Sequence, residues 1–183
     1  MTSQRLKFES PTPDLADSYR GLVQEFVDRG EQLIPFILSL PNQLFSEFLR
    51  QLDAWSRGED LPAGFVPHST FWLVRDDVEV VGVSNLRHSL TEQLKIDGGN
   101  IGYGIRPSAR RRGFATVLLR NTLERARAMG LAEVLLTCGK GNHASASTIV
   151  RNGGVLVSEA FIESRGEIVQ RYRIDLGSAA DSH

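Results

Sequence analysis

Asn100-Ile-Gly-Tyr-Gly-Ile-Arg-Pro107 is followed directly by Ser108-Ala-Arg-Arg-Arg-Gly-Phe-Ala115 and Thr116-Val-Leu-Leu-Arg-Asn121. The first piece reads as a short apolar strand stopped by Pro107, and the second as a basic loop with one glycine at Gly113. The third opens an amphipathic helix that continues to Met129. A loop that leads into a helix in this way aims several backbone N–H groups without intrahelical acceptors at one point. With arginines beside them, such groups bind phosphate.

Working outward, Glu133 to Cys138 is a continuous apolar run, as expected of a strand covered on both faces. Gly139-Lys-Gly-Asn-His143 turns the chain, Ala144 to Asn152 reads as a short helix ended by Gly153-Gly154, and Val155–Ile162 with Ile168–Ile174 reads as a closing antiparallel pair. Upstream, Thr70–Val74 and Val78–Ser84 form a hairpin through Arg75-Asp-Asp77, and Asn85 to Gly99 is a mostly polar connection. Leu6–Phe8 is a first strand. Thr12 caps and Pro13 opens a helix with apolar positions at Leu15, Tyr19, Leu22, Val23, Phe26 and Val27; a second helical pattern runs from Leu44 to Trp55 and stops at Arg57-Gly58. Between it and the hairpin, residues 59 to 68 are an irregular loop.

This order predicts an α+β (mixed α/β) fold with helices on both faces of one sheet and a locally parallel strand pair around the loop. Residues 1–176 are read as a single domain and 177–183 as a disordered tail. The 21 basic residues against 22 acidic ones give a net charge of -1, which argues against a general nucleic-acid binder and makes the arginines at 106, 110, 111 and 112 a local feature. The single cysteine, Cys138, excludes an internal disulfide and a dithiolate metal site, so no metal and a reducing, cytoplasmic compartment are expected. Leu33 to Leu40 is interrupted by Pro35 and Ser39, so neither a secretory signal nor a membrane span is read.

The loop lacks the glycine and lysine order of a nucleotide phosphate loop, and no Gly-x-Gly-x-x-Gly follows a strand, so ATP and NAD are not the expected ligands. What it has is Arg110-x-x-Gly113-x-Ala115 between a strand and a helix, with a second strand-loop-helix unit behind it. Here the sequence resembles the Gcn5-related N-acetyltransferase family. The resemblance covers roughly Phe71 to Ile174, most strongly Ile101 to Gly154, and includes Asn142-x-x-Ser145 and Gly153.

The resemblance implies an acyl-CoA N-acyltransferase fold, a mostly antiparallel sheet with a splayed parallel pair, Ile101–Arg106 and Val134–Cys138. It implies acetyl-CoA as cosubstrate, with the N–H groups of Arg111, Arg112, Gly113, Phe114 and Ala115 on its diphosphate beside Arg110. Asn142, Ser145 and backbone near Tyr103 and Ile105 would hold the pantetheine arm, and the Ile105 N–H would stabilise the oxyanion. An acetyl group would pass directly to a primary amine of a small molecule or peptide, without metal or covalent enzyme intermediate. Two positions depart from the family pattern. Ile149 stands where a tyrosine often serves as general acid, and Gly154 where a phenylalanine is usual, so the proton donor must be water, Ser145 or Tyr103.

Each of these residues also has a plainer reading. The arginines form a solvated loop, Asn142 caps a helix, and Tyr103, Trp55, Phe71 and Trp72 pack the core. Cys138 is a buried thiol. His88, just past the third strand, is a surface histidine or a catalytic base near the substrate, and Arg87 a candidate for a substrate carboxylate. A longer acyl donor, a non-catalytic acyl-CoA sensor and a salt-dependent nucleic-acid binder are the rival functions. An exposed C-terminal edge strand permits a homodimer by sheet extension.

Overall fold

The computed structural model of the chain describes residues 4–177, so the tail expected at 177–183 lies outside the described residues except for Gly177, whose N–H donates to Asp175 Oδ1. Strand β1 (Leu6–Glu9) passes through a 3-10 turn, opened by Pro13, into α1 (Ala16–Asp28). Thr12, read as the cap, is extended and makes no side-chain capping bond. A second 3-10 turn (Phe36–Ser39) precedes α2 (Phe45–Ser56). The hairpin β2 (His68–Arg75) and β3 (Glu79–Arg87) turns at Asp76 and Asp77, both left-handed with φ 51° and 60°, as a tight right-twisted hairpin requires. Then come α3 (Glu92–Ile96), β4 (Ile101–Ile105), a 3-10 turn (Pro107–Ala109) and α4 (Phe114–Ala128). The chain closes with β5 (Glu133–Gly139), α5 (His143–Arg151), β6 (Val155–Ile162) and β7 (Glu167–Asp175).

Helices cover both faces of a sheet ordered β1-β2-β3-β4, antiparallel throughout. On one face Tyr19, Leu22 and Phe26 of α1 and Phe45, Phe48, Leu52 and Trp55 of α2 recur every three or four residues and bury against Trp72, Val74, Val80 and Val83. Tyr19 stacks on Trp72 with ring centroids 5.1 Å apart, and its hydroxyl donates to the Ile37 carbonyl. On the other face α4 brings Leu118 against Leu73, Val81 and Ile105. Gly82 admits that helix, because a Cβ there would meet Ile105 Cδ1 at 2.8 Å and Leu118 Cδ2 at 3.0 Å.

The one sheet expected from the order of elements is divided. β5, β7 and β6 form a second antiparallel sheet, and β4 and β5 share no ladder. The two strands meet at a single point, where the Asn100 N–H donates to the Leu135 carbonyl at 2.6 Å and Asn100 Oδ1 accepts from the Leu135 N–H at 2.8 Å. From there they part, the splay that the resemblance implies, but the bridge at the junction, Gly99 with Leu136, is antiparallel, and no parallel ladder forms among the described residues. Gly99, left-handed at φ 66°, makes this junction, because a Cβ would strike the Leu135 carbonyl.

Two local readings are corrected. β3 runs on through Asn85–Arg87, which polarity had assigned to the connection; Asn85 is buried because His68 and Thr70 take up its amide. β5 alternates instead of being covered on both faces: Val134, Leu136 and Cys138 are buried, while Leu135 and Thr137 are half-buried, Thr137 Oγ1 accepting from the Gly98 N–H in the link between α3 and β4. No helix among the described residues is long and apolar enough to cross a membrane.

Candidate functional site

Where β4 and β5 separate, a cavity of about 640 Å³ opens, within the size range of small-molecule sites. Its floor is β4. In the β3–β4 ladder Arg106 donates to the Val81 carbonyl and Arg87 to the Asn100 carbonyl, so with the period of a strand Gly102 and Gly104 turn their backbone groups toward β3. Tyr103 and Ile105 therefore present theirs to the open side. The Ile105 N–H faces the gap, while the Ile105 carbonyl accepts from Arg110 Nε at 3.2 Å.

At one end the cavity is bounded by the loop before α4. Arg111 and Gly113 are left-handed, with φ 63° and 81°, which curls the backbone and turns its N–H groups to one side. The N–H groups of Arg111, Arg112, Gly113, Phe114 and Ala115 find no acceptor among the described residues; the first helical bonds of α4 come from Thr116 and Val117 to the Gly113 carbonyl. Five donors at a helix N-terminus form a cradle for an anion. No atom lies within 4 Å of the position a Gly113 Cβ would take, so the space in front of the loop is open.

Its arginines differ from one another. Arg106 is buried against Glu25 at 2.7 Å and Glu79 at 3.3 Å and ties α1 to the sheet. Arg110 grips both carboxylate oxygens of Glu31 at 2.9 and 2.6 Å and lies over the Phe26 ring. Arg111 lines the cavity and enters no ion pair among the described residues, as does Arg151 from the last turn of α5. Arg112 is exposed and stands outside the cavity wall.

The other long wall is α5. Asn142 caps it, its Oδ1 accepting from the Ser145 N–H at 3.0 Å, and also lines the cavity. Ser145 Oγ lies 2.9 Å from the Tyr103 hydroxyl, so two of the three residues considered for proton transfer meet on one wall. Burial pushes the Tyr103 phenol up to about 12, against the smaller opposing pull of the Ser145 hydroxyl. Ile149 is fully buried in the core with Leu119, Leu136 and Cys138. Gly154 packs against it: a Cβ at 154 would collide with Ile149 Cγ2 and stand 2.8 Å from the Ile149 carbonyl.

The structure does not bring Arg87 and His88 to this cavity. The extra length of β3 carries them past it: Arg87 donates to the Gly99 carbonyl at 2.8 Å, and His88 Nε2 pairs with Ser69 Oγ at 2.9 Å, where burial lowers its pKa. Cys138 is buried, and burial raises its thiol. The sequence reading missed Phe26, Glu31, Gln32 and Ile34, which form the wall beyond β4. A signal for them was present in Gly102-x-Gly104: two glycines on one face of a strand mark the close approach of another backbone. A Cβ at Gly104 would strike the Ile34 carbonyl, and one at Gly102 would meet Pro35 at 3.3 Å.

The acetyltransferase (GNAT) family model matches residues 34–153. The chain belongs to the GNAT family. The matched span holds α2 to α5, including the loop before α4, and membership makes the chain an acetyl-CoA-dependent acyltransferase. No curated protein matches the sequence. Among solved structures, the RimL ribosomal L7/L12 alpha-N-protein acetyltransferase in complex with coenzyme A superposes with a TM-score of 0.68 at 14% identity, covering 96% of each chain. The microcin C7 self immunity acetyltransferase MccE, in complex with acetyl-CoA and AMP, gives 0.67 at 14% identity over 93% of this chain and 92% of its own. A phosphinothricin acetyltransferase from Sinorhizobium meliloti, in complex with acetyl-CoA, gives 0.63 at 14% identity over 97% and 92%. At these identities the likeness is one of GNAT fold.

Proposed function

We propose that this chain moves the acetyl group of acetyl-CoA to a primary amine of a small molecule or peptide, by direct attack while both are bound. The reading is carried by one observation: of the residues 111–115, whose N–H groups find no acceptor among the described residues, Arg111, Gly113, Phe114 and Ala115 line the same cavity as Tyr103. The cradle and Arg111 hold the diphosphate, and Asn142 and Ser145 flank the arm that leads inward. The Ile105 N–H, directed into the gap, supports negative charge on the thioester oxygen during attack.

Tyr103 takes the place of the missing acid. With its pKa near 12 the phenol stays protonated at neutral pH. A thiol has a reference pKa of about 8.5, so full proton transfer from such a phenol to a departing thiolate is uphill. Tyr103 therefore stabilises the thiolate as a hydrogen-bond donor, and the proton comes from the amine itself. An alkyl ammonium has a reference pKa of about 10.4. The one carboxylate on the cavity wall, Glu31, is held by Arg110, so the amine loses its first proton to water before attack. The acetyl-CoA requirement and the lone thiol fit a cytoplasmic protein, and β6 offers a second copy an edge to pair with.

The test is thiol release from acetyl-CoA across a panel of primary amines. Turnover with at least one amine is the expected result, whereas binding of acetyl-CoA with no CoA released by any amine favours a sensing module. Gly113→Glu puts charge and bulk before the cradle at a strain of about 1–2 kcal/mol for the left-handed backbone, small enough to leave the domain folded. Calorimetry should show acetyl-CoA affinity reduced at least about tenfold, on the order of 1.4 kcal/mol or more; unchanged affinity removes the loop from the site.

A further inference from the structure

Arg110 is the first residue of the loop motif, yet three of its guanidinium N–H groups point away from the N–H cradle. Nε holds the Ile105 carbonyl at the exit of β4, and the two terminal nitrogens form a fork on Glu31, three residues past the end of α1. Its Cζ lies over the Phe26 ring, 5.2 Å from the centroid. Such a bidentate, stacked arrangement fixes geometry in a way that a flexible point charge does not. The same guanidinium thus joins β4, the end of α1 and the segment that starts at Glu31.

That segment forms part of the site. Gln32 and Ile34 line the cavity, and Ile34 and Pro35 lie on Gly104 and Gly102, across the strand from the α5 wall. The diphosphate cradle and α5 bound the cofactor's side of β4, so this far wall is the side left for the amine. Arg111 and Arg151, which line the cavity and enter no ion pair among the described residues, are the side chains available to the diphosphate.

We propose that Arg110 and Glu31 are a positioning pair, which clamps residues 31–36 onto β4 and shapes the acceptor side of the cavity, and that Arg110 is not a ligand of the cofactor's diphosphate. The inference rests on the acetyl-CoA reading above. It makes Glu31 and Arg110 equivalent to each other in effect, which a phosphate-binding arginine and its neighbouring carboxylate would not be.

The experiment compares Arg110→Ala, Arg110→Lys and Glu31→Gln with the wild-type chain, using acetyl-CoA as the calorimetric probe and amide hydrogen exchange as the structural one. Both Arg110→Ala and Glu31→Gln should leave acetyl-CoA affinity within about threefold of wild type. Both should speed exchange of the amides from Gln32 to Leu38 by about tenfold or more, as expected when a clamped segment opens locally. Arg110→Lys keeps the charge but loses the fork, and should resemble Arg110→Ala. With an amine found active in the panel, KM for the amine should rise in all three while KM for acetyl-CoA stays. The proposal is overturned if Arg110→Ala weakens acetyl-CoA at least about tenfold while Arg110→Lys and Glu31→Gln do not, the pattern of a charge on a phosphate. It is also overturned if exchange at 32–38 is unchanged. Failure of the wild-type chain to bind acetyl-CoA would instead defeat the functional reading, and the exchange arm would still decide the clamp.

Discussion

Tyr103 and His68 are titratable side chains, the first half-buried and the second buried, and their surroundings assign them opposite tasks. The Tyr103 hydroxyl meets Ser145 on the cavity wall and remains protonated, so Tyr103→Phe removes one hydrogen-bond donor and little else. Its kcat should fall about 10- to 100-fold, at or just below the usual range for a lost proton donor, with acetyl-CoA affinity unchanged. Steady-state thiol release measures it, and an unaltered kcat would transfer the role to water or Ser145. His68 does not line the cavity. Its Nδ1 lies 2.8 Å from the Asn85 amide, and its ring is enclosed by Phe36 and Trp55, each at 5.3 Å between centroids. Burial, with the nearby Arg87 charge, pulls its pKa down to about 4. Because the folded value lies below the unfolded one, the neutral ring stabilises the fold fully above about pH 6.5. That contribution shrinks as pH falls toward 4, by up to about 3 kcal/mol. Urea denaturation at pH 7 and pH 5 should show the loss, and His68→Gln should flatten it.

At the scale of elements, what was legible followed from local rules. The apolar spacing of α1 and α2, the Asp-Asp hairpin and the Gly113 helix start each need only neighbours within a few residues. The cradle was read from Arg110-x-x-Gly113-x-Ala115 for the same reason. What was not legible depends on partners far along the chain. The division of the sheet is set by Asn100 with Leu135, and the fate of Arg110 by Glu31, 79 residues earlier. α3 spans five residues, too few to show a period. Arg87 and His88 were misplaced because polarity at Asn85 hid a buried strand. The glycines of β4 hold the missing information. Gly104→Ala would set a methyl group against the Ile34 carbonyl, and should cost about 1–3 kcal/mol as an overpacked site does. Gly141→Ala, with nothing within 4 Å of the added carbon, is the control and should stay within about 0.5 kcal/mol. Equal unfolding midpoints for the two variants would mean that the 31–36 segment does not rest on β4.

Across the whole molecule, the two sheets leave four edges, and three are short or faced by the chain itself. β1 is four residues long, and β4 and β5 meet at the Asn100–Leu135 junction. β6 is the exception: an eight-residue edge on which Val155, Leu156, Val157 and Phe161 are all exposed, Phe161 at 61%. Natural edges of that length are usually blunted by charge, proline or a bulge. β6 has no proline, and its one charge, Glu159, is taken up by Lys140. Its ladder with β7 is irregular at Val157, which disrupts the first half of the strand and leaves Ser158–Ile162 in regular register. A second copy should therefore pair along that regular half, covering Phe161. Sedimentation over a range of concentrations should show a wild-type dimer, and Phe161→Lys should shift it to monomer. No cavity-lining residue belongs to β6 or β7, so the variant should keep its acetyl-CoA affinity. A wild-type chain that stays monomeric at every concentration would show that the bulge alone is enough to protect this edge.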